Sequence, residues 1–346
     1  MYMPDCTPFL KMDLYTPMMK TPPTKIFVTC NDLDATVAMY TQQFGMRMDM
    51  IMPADAPRIA VVSDLGVSVR IETRENADNA HESAVPAHAT NQLLITCAGD
   101  EDAWIPGRAG MQYRDLIPGR LGGRFIASHI RIPRGGPVPD YVHYHNVAFQ
   151  AIYCRRGWVR VVYEDQGPPF VMHAGDCVLQ PPKIRHRVLD SSSGLEVIEI
   201  GGPAEHETWR EHAFDLPTPI LQPARDFSGQ HFVHHDASIA KWQILANSDF
   251  EYRDTGIAKS TNGVGSLRVL RTTTSHGTGE ARTPTQIHNG NLLFFYVLEG
   301  RMRLHSEQLG AHTLGVDDAC AIPTGVDYRI SANTPCEVLE VALPAR

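Results

Sequence analysis

The stretch His143-Tyr-His-Asn-Val-Ala-Phe-Gln150, followed by Gly175-Asp-Cys-Val-Leu-Gln-Pro-Pro-Lys-Ile-Arg-His186, constrains this chain more than any other feature. Residues two apart on an extended segment point to the same side of a sheet, so His143 and His145 share a face. A third histidine, His186, returns from a later strand. Imidazole is the commonest protein ligand for divalent transition metals, and three of them converging on one point build a catalytic site with open positions. The fold must therefore bring separate strands together around a metal.

The surrounding pattern agrees. From Arg120 to about Glu211, short apolar runs (Phe125 to Arg131, Tyr141 to His145, Ala148 to Cys154, Trp158 to Glu164, Phe170 to His173, Cys177 to Gln180, His186 to Leu189, Leu195 to Ile200) are separated by Gly, Pro, Asp or Ser, as in a double-sheet jelly roll or barrel. Strand signals resume from Phe250 to Arg346, with Ser266 to Arg271, Leu292 to Leu298, Met302 to His305, Ala319 to Ile322 and Val338 to Val341. The second half repeats the logic of the first. Ahead of both, Lys25 to Cys30 is strand-like, and Asn31 or Asp32 can cap a helix through Leu33, Val37, Tyr40 and Phe44 that ends at Gly45. Strand candidates Met46 to Met52, Arg58 to Ser63 and Val67 to Glu72 follow, giving a βαβββ order.

A mostly β chain of 346 residues exceeds one small core. We divide it into an irregular N-terminal arm (1–23), expected either to cover a neighbouring subunit or to be partly disordered, a βαβββ module (24–75), a polar, proline-interrupted linker (76–118), a metal-binding domain (119–215), a second linker (216–249) and a related domain (250–346). A net charge of −8 argues against a nucleic-acid footprint. The seven cysteines are odd in number, widely separated and without a Cys-x-x-Cys pair, which reads as reduced thiols. With no signal peptide and no apolar run long enough to span a bilayer, the expectation is a cytoplasmic protein acting on a small molecule, without nucleic-acid or membrane partners, as a homodimer or higher homo-oligomer. His231, His234, His235 and Asp236 lie on a weakly patterned stretch and are read as solvated.

His143-x-His145-x4-Gln150-x6-Gly157 is similar to the first cupin motif, G-x5-HxH-x3,4-E-x6-G. Gly175-x5-Pro181-x-Lys183-x2-His186 is similar to the second, G-x5-PxG-x2-H-x3-N. The departures are Gln150 for Glu, Lys183 for Gly and Asp190 for Asn. The C-terminal half fits the same ruler, with Gln286-x-His288-x4-Leu293-x6-Gly300 and Asp317-x5-Pro323-x-Gly325-x2-Tyr328, but Leu293 cannot coordinate a metal. The chain thus resembles a bicupin with two jelly-roll barrels, one metal motif intact and one degenerate, so the second barrel is expected to serve packing, dimerisation or a pocket wall. The βαβββ stretch resembles one glyoxalase-like, vicinal oxygen chelate module. It lacks a His or Gln on its first strand, so Glu72 alone matches a ligand position, and a structural or dimerising module is expected.

The resemblance implies a metal held by His143, His145, Gln150 and His186. A glutamine in place of the family glutamate is neutral, leaves the site nearer +2 and favours an anionic, chelating substrate. Three histidines without Gln150 leave room for a bidentate substrate and dioxygen. By analogy with three-histidine cupin dioxygenases, Fe(II) is the expected ion, with Ni, Mn, Co or Zn open, and the expected activity is that of an oxidoreductase, a dioxygenase of a chelating acid, diketone or aromatic diol. The alternatives are a non-redox metal lyase, isomerase or decarboxylase and a non-catalytic binding protein. Tyr141 shares the parity of the two histidines and is the candidate proton donor. Ile152 and Cys154 follow the parity of Gln150 and are expected in the substrate pocket. Arg131 and Arg160 are candidate carboxylate clamps there, while Tyr144, Arg185 and Arg187 need not face inward.

Overall fold

A computed structural model describes residues 24–79, 92–99, 103–273 and 279–345. The arm expected over 1–23 and part of the expected first linker lie outside the described residues. The N-terminal part runs β1 (Thr24–Cys30), α1 (Leu33–Ala38), β2 (Arg47–Met52), β3 (Ile59–Asp64) and β4 (Val67–Thr73). Asp32 caps α1 by accepting from the Ala35 N–H at 2.9 Å, which satisfies a donor that a first helical turn leaves open. The helix is shorter than its apolar spacing implied, because it widens into a π-type turn over Met39–Gln43. There the Thr41 hydroxyl donates to the Val37 carbonyl at 2.9 Å and competes with the backbone ladder. β1 pairs in parallel with β4, while β2, β3 and β4 are antiparallel, so this is a β-rich module.

The histidine-bearing part is built from β5 (Ile126–Ile132), β6 (His143–His145), β7 (Phe149–Arg156), β8 (Trp158–Tyr163), β9 (Cys177–Leu179), β10 (His186–Ser191), β11 (Leu195–Gly202) and β12 (Thr208–Arg210). One sheet runs through β9, β7, β11 and β5 in hydrogen-bonded order. The other runs β1-β4-β3-β2-β12-β6-β10-β8, so the N-terminal sheet continues directly into the sheet that carries the histidines. The join is made by Ile51 opposite Thr208 and Met50 opposite Trp209. Between the two sheets lies an apolar core that includes Ile130, Val178 and Val197 from one and Val159, Val161 and Met172 from the other.

Alternation along β7 decides what faces where. Gln150, Ile152 and Cys154 point into this inter-sheet space. Phe149, Ala151 and Tyr153 point the other way, into a cluster shared with Val269, Phe294, Tyr296 and Val341 of the C-terminal half. That half repeats the arrangement with β13 (Ser266–Thr272), β14 (Leu292–Glu299), β15 (Ala319–Ala321), β16 (Asp327–Ala332) and β17 (Glu337–Leu343), and it has its own inner core around Phe295, Leu304 and Ile330. The two halves therefore pack back to back through one sheet each.

The expected closed barrels are corrected by the sheet topology. The described strands form four open sheets, and none closes on itself. Apolar alternation specifies which face of a strand is buried, whereas closure depends on hydrogen-bond register at the sheet edges, which the sequence pattern does not carry.

Candidate metal centre

His143 lies directly opposite His186 across β6 and β10, and His145 lies opposite Thr208 across β6 and β12. The ring centroids of His143, His145 and His186 are 4.3 to 5.2 Å apart, and one ligand atom from each lies within 4.8 Å of the others. All three are buried. Carbonyl oxygens only accept, so the Nδ1 atoms of His143 and His186, 2.8 and 3.0 Å from the carbonyls of Tyr141 and Ile184, must be the protonated nitrogens. That leaves the Nε2 lone pairs as donors to a metal, the usual way a backbone partner fixes a ligand's tautomer. His145 Nδ1 is paired with the Thr208 hydroxyl at 2.9 Å.

Gln150 is almost fully buried, and its amide Nε2 donates to Glu199 Oε1 at 2.6 Å. This contact settles the orientation of the amide, because a carboxylate accepts only. Its Oε1 is then left buried with no hydrogen-bond partner among the described residues. A buried carbonyl oxygen without a partner costs roughly 1–3 kcal/mol, and a divalent ion beside it removes that cost. The three imidazoles fit a divalent transition metal, and among the described residues they are the one group of three or more His, Cys, Asp or Glu side chains so placed.

The cavity over these residues has a volume of about 110 Å³. Ile152 lines it, as do His143, His145, Gln150 and His186. Cys154, Arg131, Arg160 and Tyr141 do not. Cys154 is packed into the apolar core beyond the cavity, where burial pushes its thiol up to about 12. Arg131 alternates with the inward Ile130 and Ile132, so its guanidinium sits over the Trp104 ring at 4.0 Å and its Nε donates to Gln112 at 2.7 Å. Arg160 alternates likewise with Val159 and Val161 and lies 3.7 Å from Asp190, half exposed. The Tyr141 ring rests under the Arg210 guanidinium at 4.5 Å and meets the His143 ring edge-on at 5.7 Å, and the Tyr141 carbonyl accepts from His143 Nδ1 at 2.8 Å. Arg185 is held by Glu164 and Glu211.

Sequence reasoning missed several cavity residues. His206 is buried and its ring is 5.4 Å from that of His145. Its Nδ1 donates to the Pro203 carbonyl at 2.9 Å, and its Nε2 has no partner among the described residues. It follows a turn rather than a strand, so no period pointed to it. Gln180, whose Nε2 donates to the Tyr163 hydroxyl at 2.8 Å, also lines the cavity, as does Glu199. Burial raises the Tyr163 phenol well above its ordinary range and keeps it protonated. Pro53, Ala54 and Asp55 arrive from the N-terminal module, with Asp55 paired to Arg120. That module therefore forms part of the cavity wall.

In the C-terminal half, Tyr328 donates to Gln286 Oε1 at 3.3 Å, Leu293 is buried in the core, and His288 Nδ1 accepts from the Gly290 N–H at 3.3 Å. The turns are nonetheless the same. Lys183 has φ 62° and its N–H bonds to the His145 carbonyl, while Gly325 has φ 83° and bonds to the His288 carbonyl. The cupin domain family model matches residues 128–201 and 276–342, one stretch in each half. The fold is a bicupin. One of its motifs is intact and one has lost its ligand set.

No curated protein matches the chain. Among solved structures, this bicupin is similar to the oxalate decarboxylase of Lactobacillus farciminis in a formate complex, with TM-score 0.53 and 14% identity over 75% of this chain and 88% of that one. It is similar to a Bacillus subtilis oxalate decarboxylase mutant with TM-score 0.53 and 12% identity, covering 82% and 86%. The E. coli protein Ylba matches with TM-score 0.50 and 12% identity, covering 78% and 97%. At such identities the likeness is one of fold. The expected oxidoreductase class, with a dioxygenase activity, is overturned by these neighbours: the enzymes that share the fold here are oxalate decarboxylases, which are non-redox lyases. Among the described residues no helix is long and apolar enough to cross a membrane.

Proposed function

We propose that this bicupin is a metal-dependent, non-redox decarboxylase of small oxygen-chelating acids, acting at the His143, His145 and His186 centre. The observation that carries the reading is the triad itself, three buried imidazoles with their ligand atoms within 4.8 Å at one end of a cavity, on a fold shared with decarboxylases. The three histidines would hold the ion, with Gln150 Oε1 as a neutral oxygen donor. A divalent ion bound there supplies Lewis acidity, drawing electron density toward a coordinated substrate oxygen as the carboxylate leaves. A Bacillus subtilis relative is described with Mn(II) centres, and we place Mn(II) ahead of the expected Fe(II); the imidazole set also accepts Ni, Co and Zn.

The remaining roles belong to the chain. Glu199 holds the Gln150 amide so that its oxygen, not its nitrogen, faces the centre. His206 Nε2 can accept a hydrogen bond from a substrate hydroxyl or from water delivering a proton, since its Nδ1 is engaged by Pro203. Tyr141, expected as the proton donor, is proposed instead to fix the His143 ring through its carbonyl. The domain division drawn from the sequence, the glyoxalase-like kinship of the front module and a homo-oligomeric assembly are kept as parts of this proposal.

The test pairs metal analysis with gas exchange. Protein purified without added metal should carry about one equivalent of a divalent transition ion, lost in His143→Ala, and should release carbon dioxide from a chelating acid with no net oxygen uptake. Oxygen consumed in step with substrate, or stoichiometric metal retained by His143→Ala, overturns the reading.

A further inference from the structure

Five strands line the cavity, and on each a polar residue toward the histidine end is succeeded, two residues on, by apolar ones, with Glu199 and Ser128 one step further in than Gln150, level with Ile152. On β10 His186 is followed two residues on by Val188, and on β7 Gln150 is followed by Ile152. β8, read backwards, passes from Tyr163 to Val161 and Val159; β11 passes from Glu199 to Val197 and Leu195; β5 passes from Ser128 to Ile130 and Ile132. Because side chains two apart share a face, these sequences describe one direction through the cavity, from a polar floor at the metal centre to a mainly apolar interior, where Met111 and Met172 also line the wall and the Tyr113 hydroxyl donates to Met111 Sδ at 3.4 Å. Among the described residues no lysine or arginine lines it. Arg131 and Arg160 point away, as their strand parity requires, and Arg120 at the mouth is engaged by Asp55.

A second carboxylate on the substrate would therefore enter a mainly apolar chamber with no guanidinium or ammonium to meet it, and burying an unpaired carboxylate is strongly unfavourable. We infer that the substrate joins a single-charge chelating oxygen head to an apolar body, as in a 3-oxo acid with an alkyl or aryl tail, and is not a compact dicarboxylate such as oxalate. The inference rests on the decarboxylase reading and names its substrate class. For a 3-oxo acid the bond between the carboxyl carbon and carbon 2 breaks and its electron pair passes into the neighbouring carbonyl to give an enolate. Carbon dioxide leaves, and a proton from water adds at carbon 2, so no oxidant is needed.

Binding decides the matter without turnover. 3-Hydroxybutanoate, 3-hydroxyhexanoate and 3-hydroxyoctanoate chelate through the same two oxygens and do not decarboxylate. Titrated calorimetrically into the Mn(II)-loaded protein, they should bind more tightly by about fourfold per added methylene, and all three more tightly than oxalate. Ile152→Phe should move the preference toward shorter tails and Ile152→Ala toward longer ones; if either fails to fold, the wild-type series still decides. A series flat in tail length, or oxalate as the tightest ligand, overturns the inference. Carbon dioxide release from the 3-oxo acids is scored separately. Tail-dependent binding without release sinks the decarboxylase reading and leaves the cavity inference standing, whereas release from oxalate with a flat series does the reverse.

Discussion

Replacing Gln150 with glutamate restores the residue of the family motif, and the structure sets the consequence of doing so in the metal-free protein. The amide that now donates to Glu199 Oε1 at 2.6 Å becomes a second carboxylate facing the first in a buried site. Two such charges that relax to 4 Å repel by about 4 kcal/mol at an effective dielectric of 20. The cost is capped by uptake of one shared proton, which at pH 7 and an ordinary glutamate value near 4.3 amounts to about 3.7 kcal/mol. The two routes agree, so metal-free Gln150→Glu should be destabilised by about 4 kcal/mol at pH 7. The sign follows from the folded pair holding a proton more tightly than the unfolded chain does. The penalty vanishes below about pH 4.3 and grows by about 1.4 kcal/mol per pH unit above it, until the raised folded value is passed. Urea denaturation of both proteins at pH 5 and 7 should therefore show the gap widening by about 2.7 kcal/mol, and a divalent ion should close it, because the new carboxylate then has a cation to face. A gap that stays constant between the two pH values, or that survives saturating metal, would refute the placement of Glu199 behind residue 150.

Lys183 is exposed at φ 62°, a conformation costing a non-glycine residue about 1–2 kcal/mol, against about 0.5–1 kcal/mol of chain entropy for glycine, so Lys183→Gly should raise stability by about 0.5–1 kcal/mol in thermal denaturation. Burial works to raise the Asp317 carboxyl, but the Tyr296 hydroxyl at 2.7 Å and Arg155 at 3.1 Å outweigh it and hold it below 3.8. That contribution is present above pH 3.8 and is lost as pH falls through the lowered value, so Asp317→Asn should cost about 1 kcal/mol at neutral pH and flatten the acid limb of the stability curve. His206→Ala should keep its metal in elemental analysis, because that ring lies outside the three-histidine cluster. Asp55→Ala frees Arg120 at the mouth and should raise the affinity for oxalate relative to the hydroxy acids, measured by the same calorimetry.

The sequence by itself determined the strands and the triad. Period-two alternation put His143 and His145 on one face, and the spacing from Gly175 placed His186 at the turn that brings it opposite His143. These are local facts, because side-chain parity and turn chemistry are written into a few consecutive residues. Arg131 and Arg160 became candidate clamps because they lie on or next to the metal-bearing strands, and the structure turns both outward, since each alternates with inward aliphatic residues. Whether sheets close, and what surrounds the triad, are not local. Thr208, Glu199 and His206 reach the centre through hydrogen-bonded registers and a turn set by residues far away in the chain, and the N-terminal module reaches the cavity because β2 continues the sheet at β12. Gln150 shows the division most sharply. The sequence identified it as the departure in the ligand set, but only the tertiary structure, by placing Glu199 within 2.6 Å of its nitrogen, decided that the amide oxygen is the end left without a partner among the described residues.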